Sequence, residues 1–304
     1  MASDARVLEQ FVLRPDVPSW VRMRRWLTSF ARHKPLGTAC ALIVVLLIAM
    51  ALAPGVFARG TDPNAGILGD RLIGPSGAHW FGTDQNGRDV FARIVYGART
   101  SVLIGFGVVG VATAIATVLG ILSGYLGGWV DTAVQRLVDI GIALPGLVFV
   151  ILFVTSLQQF PVTLDIIVSV GLLIAVGSSR IIRGAAIAAK ENQYVEAARV
   201  LGASDIRIVF RHVLPNVFAI IMVSASIQIG GAILIESALS FLGYGVQPPV
   251  ASWGRMLSDA QLQISNHFYL AVFPGLAIFI TVYSFNMLGD ALRDVLDPRL
   301  RGSR

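Results

Sequence analysis

The sequence predicts an all-α integral membrane protein whose chain crosses the bilayer six times. Of its 304 residues, 55% are hydrophobic and only 14% are charged, whereas soluble domains carry about 25% charged residues. Five uncharged stretches each exceed the roughly 20 residues that a helix needs to cross a bilayer. These stretches lie at residues 35–58, 100–130, 140–164, 213–235 and 260–289.

A basic tail, residues 1–35, precedes the first span. Its aromatic and apolar residues recur at helical spacing with arginines between them: Trp20, Met23, Leu27 and Phe30. This pattern predicts an amphipathic helix on the inner membrane surface, in contact with lipid headgroups. A nucleic-acid-binding arm is the alternative for a basic tail. The aromatic residues and the adjoining span favour membrane lipid, so we expect no nucleic-acid partner.

Span one is predicted at about 36–57, and an outer loop of mixed charge follows at 59–99. Within this loop, Asp84 is expected to cap a separate amphipathic helix that lies along the outer surface. That helix leads into span two, at about 101–125. Span two repeats a small residue at every fourth position: Ala112, Ala116, Gly120, Gly124 and Gly128. Such a stripe lets two helices pack closely in a membrane, and packing alone explains it.

The remaining spans follow from the apolar runs and the polar residues at their ends. Pro145-Gly146 predicts a kink in span three, and a short inner loop that carries Asp131 and Asp139 precedes this span. Spans three to six are predicted at about 140–157, 166–182, 217–239 and 268–288. They complete a transmembrane domain of residues 36–290, with an outer loop at 241–267 and an inner tail at 291–304.

The longest polar-rich segment between two apolar runs, residues 191–216, predicts a hairpin of two short helices. The first helix has apolar or small residues at helical spacing: Tyr194, Ala197, Ala198 and Leu201. Gly202 is expected to stop it in a left-handed conformation. Ser204 or Asp205 caps the second helix, and Pro215 is expected to end it before span five.

The second predicted helix carries an apolar stripe: Ile206, Val209, Phe210 and Val213. No membrane covers a stripe at this position, so we expect the helix to insert into a groove on a partner protein. A charged loop that stays in water is the alternative interpretation.

The distribution of basic residues predicts which ends of the spans lie inside the cell. Six spans put both chain termini on one side. Of the 24 Lys and Arg residues, 18 fall in the two tails and the two loops on that side, when the basic residues between Arg180 and Lys190 are counted with the hairpin. Because basic residues accumulate on the cytoplasmic side of membrane proteins, the hairpin and both termini are predicted to be cytoplasmic.

The hairpin resembles the EAA loop of ABC-importer permeases, at 183–216 in this chain, by which the membrane subunit docks on the ATPase. The resemblance implies an ATPase-coupling role for the matching residues Glu196, Ala197, Ala198, Gly202, Leu214 and Pro215. The hairpin pattern adds Ser204, Ile206, Val209, Phe210 and His212. The family's usual form has Ile at the position of His212. His-x-Leu-Pro-Asn is similar to the version in the peptide-importer branch.

A second match assigns the resemblance to one type of permease within this branch. Gly82-Thr83-Asp84, followed by Gly87-Arg88-Asp89, resembles a signature of the shorter, "C"-type permease of dipeptide and oligopeptide importers. Related importers in this branch carry nickel or glutathione. The resemblance implies a type I ABC importer permease architecture in the bacterial cytoplasmic membrane. It also implies a second homologous permease, two ATPase subunits that bind ATP and Mg²⁺, and an extracytoplasmic substrate-binding protein.

The residues argue against catalysis by the chain itself. A phosphate-binding loop needs a lysine directly after a glycine, but Lys34 and Lys190 follow His33 and Ala189. No histidine falls inside a predicted span, where it could serve as the base of a membrane protease. No His, Asp or Glu cluster has the spacing of metal ligands. We therefore expect no cofactor on this chain and no enzymatic activity, so that energy for transport comes from another chain.

An ion-coupled secondary carrier is the alternative function. Such a carrier needs ionisable residues deep in its spans. Here the charged residues collect at the span ends, such as Arg180 at the inner end of span four, and Glu236 is the only one inside a predicted span. It lies about 19 residues into span five, close to the outer edge of the bilayer core. We expect Glu236 to act as a gate at the outer end of the translocation path, with its carboxylate in reach of water or a polar partner.

Overall fold

The structure is a computed structural model that describes residues 34–157 and 161–296. The amphipathic helix predicted in the N-terminal tail and the basic end of the C-terminal tail lie outside these residues. Within the two described ranges the regular structure is helical, and there is no β-strand.

The helices are, in chain order, α1 (Pro35–Leu52), α2 (Pro54–Phe57), α3 (Val90–Leu126), α4 (Gly128–Ala143), α5 (Gly146–Leu157), α6 (Val162–Lys190), α7 (Gln193–Val200), α8 (Asp205–Ile208), α9 (Leu214–Phe241), α10 (Trp253–Ala260) and α11 (Tyr269–Leu296). Five are long and apolar enough to cross a membrane: α1, α3, α6, the continuous helix that contains α8 and α9, and α11. The bent pair of α4 and α5 adds a sixth span if it is counted as one. This confirms the predicted all-α membrane fold.

The kink predicted at Pro145-Gly146 is present as a bend of 96° between α4 and α5. The short loop predicted before it is instead α4, a helix of 16 residues. Its two aspartates pair with arginines of α6: Asp131 with Arg183 at 2.5 Å, and Asp139 with Arg180. The loop prediction was wrong because these charges bind a neighbouring helix and are not simply hydrated.

A single helix of 37 residues, α3, replaces the separate outer helix and span two of the prediction. Its cap is Asp89, whose Oδ1 accepts a hydrogen bond from the Ala92 backbone N–H at 2.8 Å. Asp84, the predicted cap, instead accepts from the Asn86 backbone N–H at 2.8 Å and from Arg88 Nε at 2.7 Å. Because no proline follows within α3, the amphipathic segment continues directly into the span.

The small-residue stripe of α3 packs against α6. A Cβ added at Gly120 would lie 2.8 Å from the Ser179 carbonyl oxygen, and one added at Gly124 would lie 2.7 Å from the Arg183 carbonyl oxygen. Gly128, the last member of the predicted stripe, begins α4, and an added Cβ there has no atom within 4 Å. The close contact therefore ends with α3.

We expect Gly120→Ala to lower the free energy of unfolding by about 1–3 kcal/mol, because the new methyl group would overlap a backbone atom that cannot rotate away. Thermal unfolding of the purified protein in detergent measures this loss. Gly110→Ala on the same helix is the matched control, since its added Cβ has no atom within 4 Å. Equal unfolding midpoints for the two variants would contradict the close contact of α3 with α6.

The loop between α2 and α3, residues 58–89, folds back onto the ends of the helices. The Thr83 hydroxyl accepts from the Ile73 backbone N–H at 2.9 Å. The Tyr269 hydroxyl, at the start of α11, lies 3.0 Å from the Ile73 carbonyl oxygen and 3.1 Å from that of Thr83. The motif Gly82-Thr83-Asp84 therefore contacts the start of α11, and this contact fixes the position of the loop.

The two ends of the described chain meet at one end of the bundle. Lys34 Nζ, just before α1, lies 2.5 Å from Asp294 Oδ2 in the last turns of α11. Because successive spans alternate in direction, the segment between α6 and α9 lies at this same end, which we call the hairpin end. The loops at 58–89 and 242–252 lie at the opposite, far end.

Candidate functional site

Two short helical arms form the hairpin, residues 191–216. α7 is the first arm, and α8 begins the second. Gly202 lies between them with a φ angle of +81°, the left-handed conformation that the sequence predicts. The Ala203 backbone N–H donates to the Ala198 carbonyl at 3.0 Å, which closes the turn over the first arm in the manner of a Schellman motif.

Ser204 caps the second arm. Its Oγ accepts from the Arg207 backbone N–H at 3.5 Å, and its carbonyl accepts from the Ile208 N–H at 3.0 Å. The sequence leaves the cap open between Ser204 and Asp205, and the structure selects the serine. Asp205 has a different partner, because its carboxylate accepts from the Tyr125 hydroxyl at 2.6 Å.

The second arm does not end at Pro215, contrary to the prediction. The backbone passes from α8 through a π turn, Val209–Val213, into α9, and the whole forms one helix, Asp205–Phe241. In this turn the Leu214 backbone N–H donates to the Val209 carbonyl, five residues back. The wider turn relieves the clash between the proline ring and the preceding turn that normally stops a helix. The second arm and span five are therefore one continuous unit.

The predicted apolar stripe is divided between two faces of the second arm. Ile206 and Phe210 are 73% and 67% exposed, whereas Val209 is half-buried and Val213 is fully buried. Val213 packs with Ile208 in an apolar core shared with α3 and α6. Placing Val213 on the exposed stripe was wrong, because the predicted spacing assumes a regular α-helix and the π turn rotates the residues that follow it.

Two further apolar side chains extend the exposed surface. Val200 and Leu201, at the end of the first arm, are 82% and 86% exposed. Together with Ile206 and Phe210 they make up what we call the docking face. Helical spacing assigns Leu201 to the apolar side of the first arm and gives Val200 no role. Two adjacent apolar residues directly before a turn glycine, outside every span, are the signal that identifies them.

The remaining predicted coupling residues lie on both arms. The exposed ones are Glu196, Ala197 and Pro215, and the half-buried ones are Ala198, His212 and Leu214. The His212 ring centroid lies 6.1 Å from that of Tyr194. This contact joins the second arm to the first, so the histidine has a local packing partner.

Polar contacts attach the hairpin to the end of α3. The Tyr125 side chain, only 5% exposed, donates its hydroxyl hydrogen to Asp205 of the second arm. Its backbone carbonyl accepts from Lys190 Nζ, just before the first arm, at 3.1 Å. Arg183 of α6 donates from two nitrogens to the Asp131 carboxylate at 2.7 and 2.5 Å. The second arm is therefore joined to α3 through Tyr125, and α6 is joined to α3 through Lys190 and to α4 through Arg183.

Comparison with known proteins agrees with this architecture. Residues 116–302, which include the whole hairpin, match the family described as the binding-protein-dependent transport system inner membrane component. The chain belongs to this family.

Relatives of this permease cover most of its length. The dipeptide transport system permease protein DppC of Alkalihalophilus pseudofirmus is 40% identical over 86% of this chain and 83% of the relative. The glutathione transport system permease protein GsiD of Pectobacterium atrosepticum is 40% identical over 91% and 90%. The probable D,D-dipeptide transport system permease protein DdpC of Escherichia coli K12 is 38% identical over 88% of each. The protein is thus a multi-pass permease subunit with the architecture of type I ABC importers, as predicted.

Glu236 of the permease lies inside the subunit. Its side chain is fully buried, and its Oε1 accepts from Ser240 Oγ at 2.8 Å and from Ser252 Oγ at 2.9 Å. The prediction of a polar partner is confirmed. The partner is protein and not water, because Ser252 and the loop after α9 cover the carboxylate. Glu236 therefore connects this loop to α9, and its role as a gate stays a prediction.

We expect Tyr125→Phe to leave the permease folded but to weaken the link between the hairpin and α3. The loss of one hydrogen bond, worth about 0.5–1.5 kcal/mol, should lower the amount of substrate transported per ATP hydrolysed by about two- to tenfold. The ratio of uptake to ATP hydrolysis in reconstituted vesicles measures this. Tyr283→Phe is the control, since the Tyr283 side chain is 41% exposed. An unchanged ratio for Tyr125→Phe would show that this contact does not transmit motion.

Proposed function

We propose that the permease forms one half of the translocation path of an ATP-driven peptide importer and that the hairpin couples it to a separate ATPase. The docking face carries this proposal: it presents four exposed apolar side chains at the hairpin end of the bundle. Val200 and Leu201 lie outside every candidate span, and Ile206 and Phe210 lie in the first turns of the helix that continues as span five, next to the charged residues Arg207 and Arg211. The bilayer cannot cover them there, whereas a groove on a soluble partner can. The names of the relatives, for dipeptide and glutathione transport, support a short peptide as substrate.

The proposed complex contains a second homologous permease, two ATPase subunits and an extracytoplasmic substrate-binding protein. The family description, which names a binding-protein-dependent system, supports the last of these. ATP and Mg²⁺ are bound by the ATPase subunits. Membrane lipid covers the apolar outer faces of the spans, such as Leu42 and Val45 of α1, which are exposed on the isolated chain.

We place the hairpin end in the bacterial cytoplasm, together with both termini. The meeting of Lys34 with Asp294 supports a common side for the two chain ends. The concentration of 18 of the 24 basic residues on this side supports the cytoplasm. The far-end loops are then extracytoplasmic, where a binding protein delivers its peptide.

The docking face offers enough apolar area to hold a partner. Covering a large apolar side chain contributes about 1.5–3 kcal/mol, so four side chains contribute roughly 6–12 kcal/mol before the cost of association is subtracted. The polar remainder of the hairpin keeps this face accessible, because both arms carry exposed charged residues such as Glu196 and Arg207.

Reconstitution of the complex in liposomes tests the proposed function. With ATP on the hairpin side, the binding protein outside and no ion gradient, uptake of a labelled dipeptide is expected. ADP in place of ATP is the control and should give none. Uptake that needs an imposed proton gradient, or that stops with a protonophore when ATP is present, would identify an ion-coupled carrier and refute the proposal.

A further inference from the structure

A cavity of about 340 Å³ lies at the far end of the bundle, between the ends of α5 and α6 and the loop after α9. Ligand-binding cavities in proteins measure about 300–1,000 Å³. Its polar lining residues are Thr155, Asp165, Tyr244 and Gln247. In the proposed orientation this cavity belongs to the outer side of the permease, where substrate arrives.

Asp165 is the charged residue of this cavity, and it lacks a partner in the described ranges 34–157 and 161–296. Its side chain is 2% exposed, and its Oδ1 is buried without a hydrogen bond. A buried carboxylate without a partner is costly. The positive end of α6 compensates in part, because Asp165 lies in the first turn of this helix. An ionisable residue buried in a span without a partner indicates a functional site.

The other polar groups of the cavity present mainly hydrogen-bond acceptors. Gln247 Nε2 donates to the carbonyls of Gly243 and Gly245 at 3.0 and 2.9 Å, which leaves its Oε1 as an acceptor. The Thr155 hydroxyl donates to a carbonyl of its own helix, which leaves its lone pairs free. Tyr244 adds an aromatic ring, whose face attracts cations. The cavity therefore suits a cation and repels an anion.

An ammonium group fits this cavity better than a metal ion. A divalent metal ion needs several oxygen, nitrogen or sulfur ligands, and among the described residues that line the cavity Asp165 is the only carboxylate. The part of the chain that the structure describes contains no group of three or more His, Cys, Asp or Glu residues that could hold a metal ion. An ammonium group instead brings three N–H donors, which match the Asp165 carboxylate and the two neutral acceptors.

We propose that the cavity between α5, α6 and the loop after α9 binds the N-terminal ammonium group of a peptide substrate through Asp165 and Tyr244. This proposal rests on the proposed function as a peptide importer, and it adds the part of the substrate that the permease recognises. Acetylation of the N-terminus removes the positive charge and two of the three N–H donors. The permease should therefore distinguish a free dipeptide from its N-acetylated form.

Direct binding to the assembled complex tests the proposal. The complex of permeases and ATPase subunits is placed in nanodiscs without the binding protein, and binding of labelled dialanine and of N-acetyl-dialanine is measured. We expect the unmodified complex to bind dialanine at least about tenfold more tightly, as for one charge-assisted hydrogen bond. Asp165→Asn should remove this preference, and Tyr244→Leu should reduce it by about two- to fivefold.

Asp62→Asn is the matched control, because Asp62 is an exposed carboxylate at the far end that does not line this cavity. This variant should keep the full preference for dialanine. If Asp165→Asn keeps the preference, or weakens both peptides equally, the cavity does not recognise the ammonium group and the proposal is overturned.

The stimulation of ATP hydrolysis by the binding protein separates the two proposals. It should be present in the unmodified complex and in all three variants. Its absence from the unmodified complex would refute the proposed function, whatever the peptides do. A loss of stimulation by ligand-free binding protein in Asp165→Asn alone would show that Asp165 binds a cationic side chain of that protein, which overturns the assignment to the peptide.

Discussion

The double variant Ile206→Asp, Phe210→Asp is expected to insert into the membrane and to lose its ATPase subunits. Both side chains are largely exposed on the isolated chain, so aspartate at these positions leaves the core of the permease intact. At the proposed interface each change removes about 1.5–3 kcal/mol of apolar burial and places a charge where water is excluded. The affinity for the ATPase should fall at least about a hundredfold.

Co-purification of the ATPase with the tagged permease measures this loss, and size-exclusion chromatography confirms that the variant is folded. Ile206→Leu, Phe210→Leu is the matched control, since it keeps apolar side chains at the same two positions and should retain the ATPase. Val209 is left unchanged, because it packs in part against the core of its own chain. An ATPase that remains bound to the double aspartate variant would exclude the docking face as the coupling interface.

The positions of the spans could be predicted because an apolar run has to match the thickness of the bilayer. The lengths of the helices could not. α3 begins at Val90 and α6 runs on to Lys190, since polar residues outside the bilayer can remain helical in water. α4 could not be predicted either, because its aspartates form ion pairs with arginines far along the chain. Arg183, for example, is 52 residues from its partner Asp131.

Within the hairpin, the features that depend on neighbouring residues could be predicted. The turn at Gly202 and a cap at Ser204 or Asp205 each follow from residues within a few positions. The failures depend on more distant contacts. Pro215 stops a regular helix but is accommodated after a π turn, and this turn also carries Val213 into the core. Glu236 is buried because Ser252, 16 residues away, covers its carboxylate.

Gly202→Val is expected to leave the complex assembled but to separate ATP hydrolysis from peptide uptake. Gly202 has a φ angle of +81°, a conformation that costs a β-branched residue about 1–3 kcal/mol. An added Cβ meets no atom within 4 Å, so the strain comes from the backbone alone. The turn should relax to a different angle between the arms, which displaces Ile206 and Phe210 relative to Val200 and Leu201.

Asn is the matched substitution, because it tolerates the left-handed conformation far better than Val. Gly202→Asn should therefore retain uptake. Gly202→Val should lower uptake by about tenfold or more while ATP hydrolysis continues. This estimate follows because about 1.4 kcal/mol of strain corresponds to a factor of ten. Uptake and hydrolysis are measured in the same vesicles. Equal losses of uptake in both variants would mean that any side chain at position 202 obstructs contact with the ATPase. Normal uptake by Gly202→Val would show that the angle between the arms does not carry the coupling.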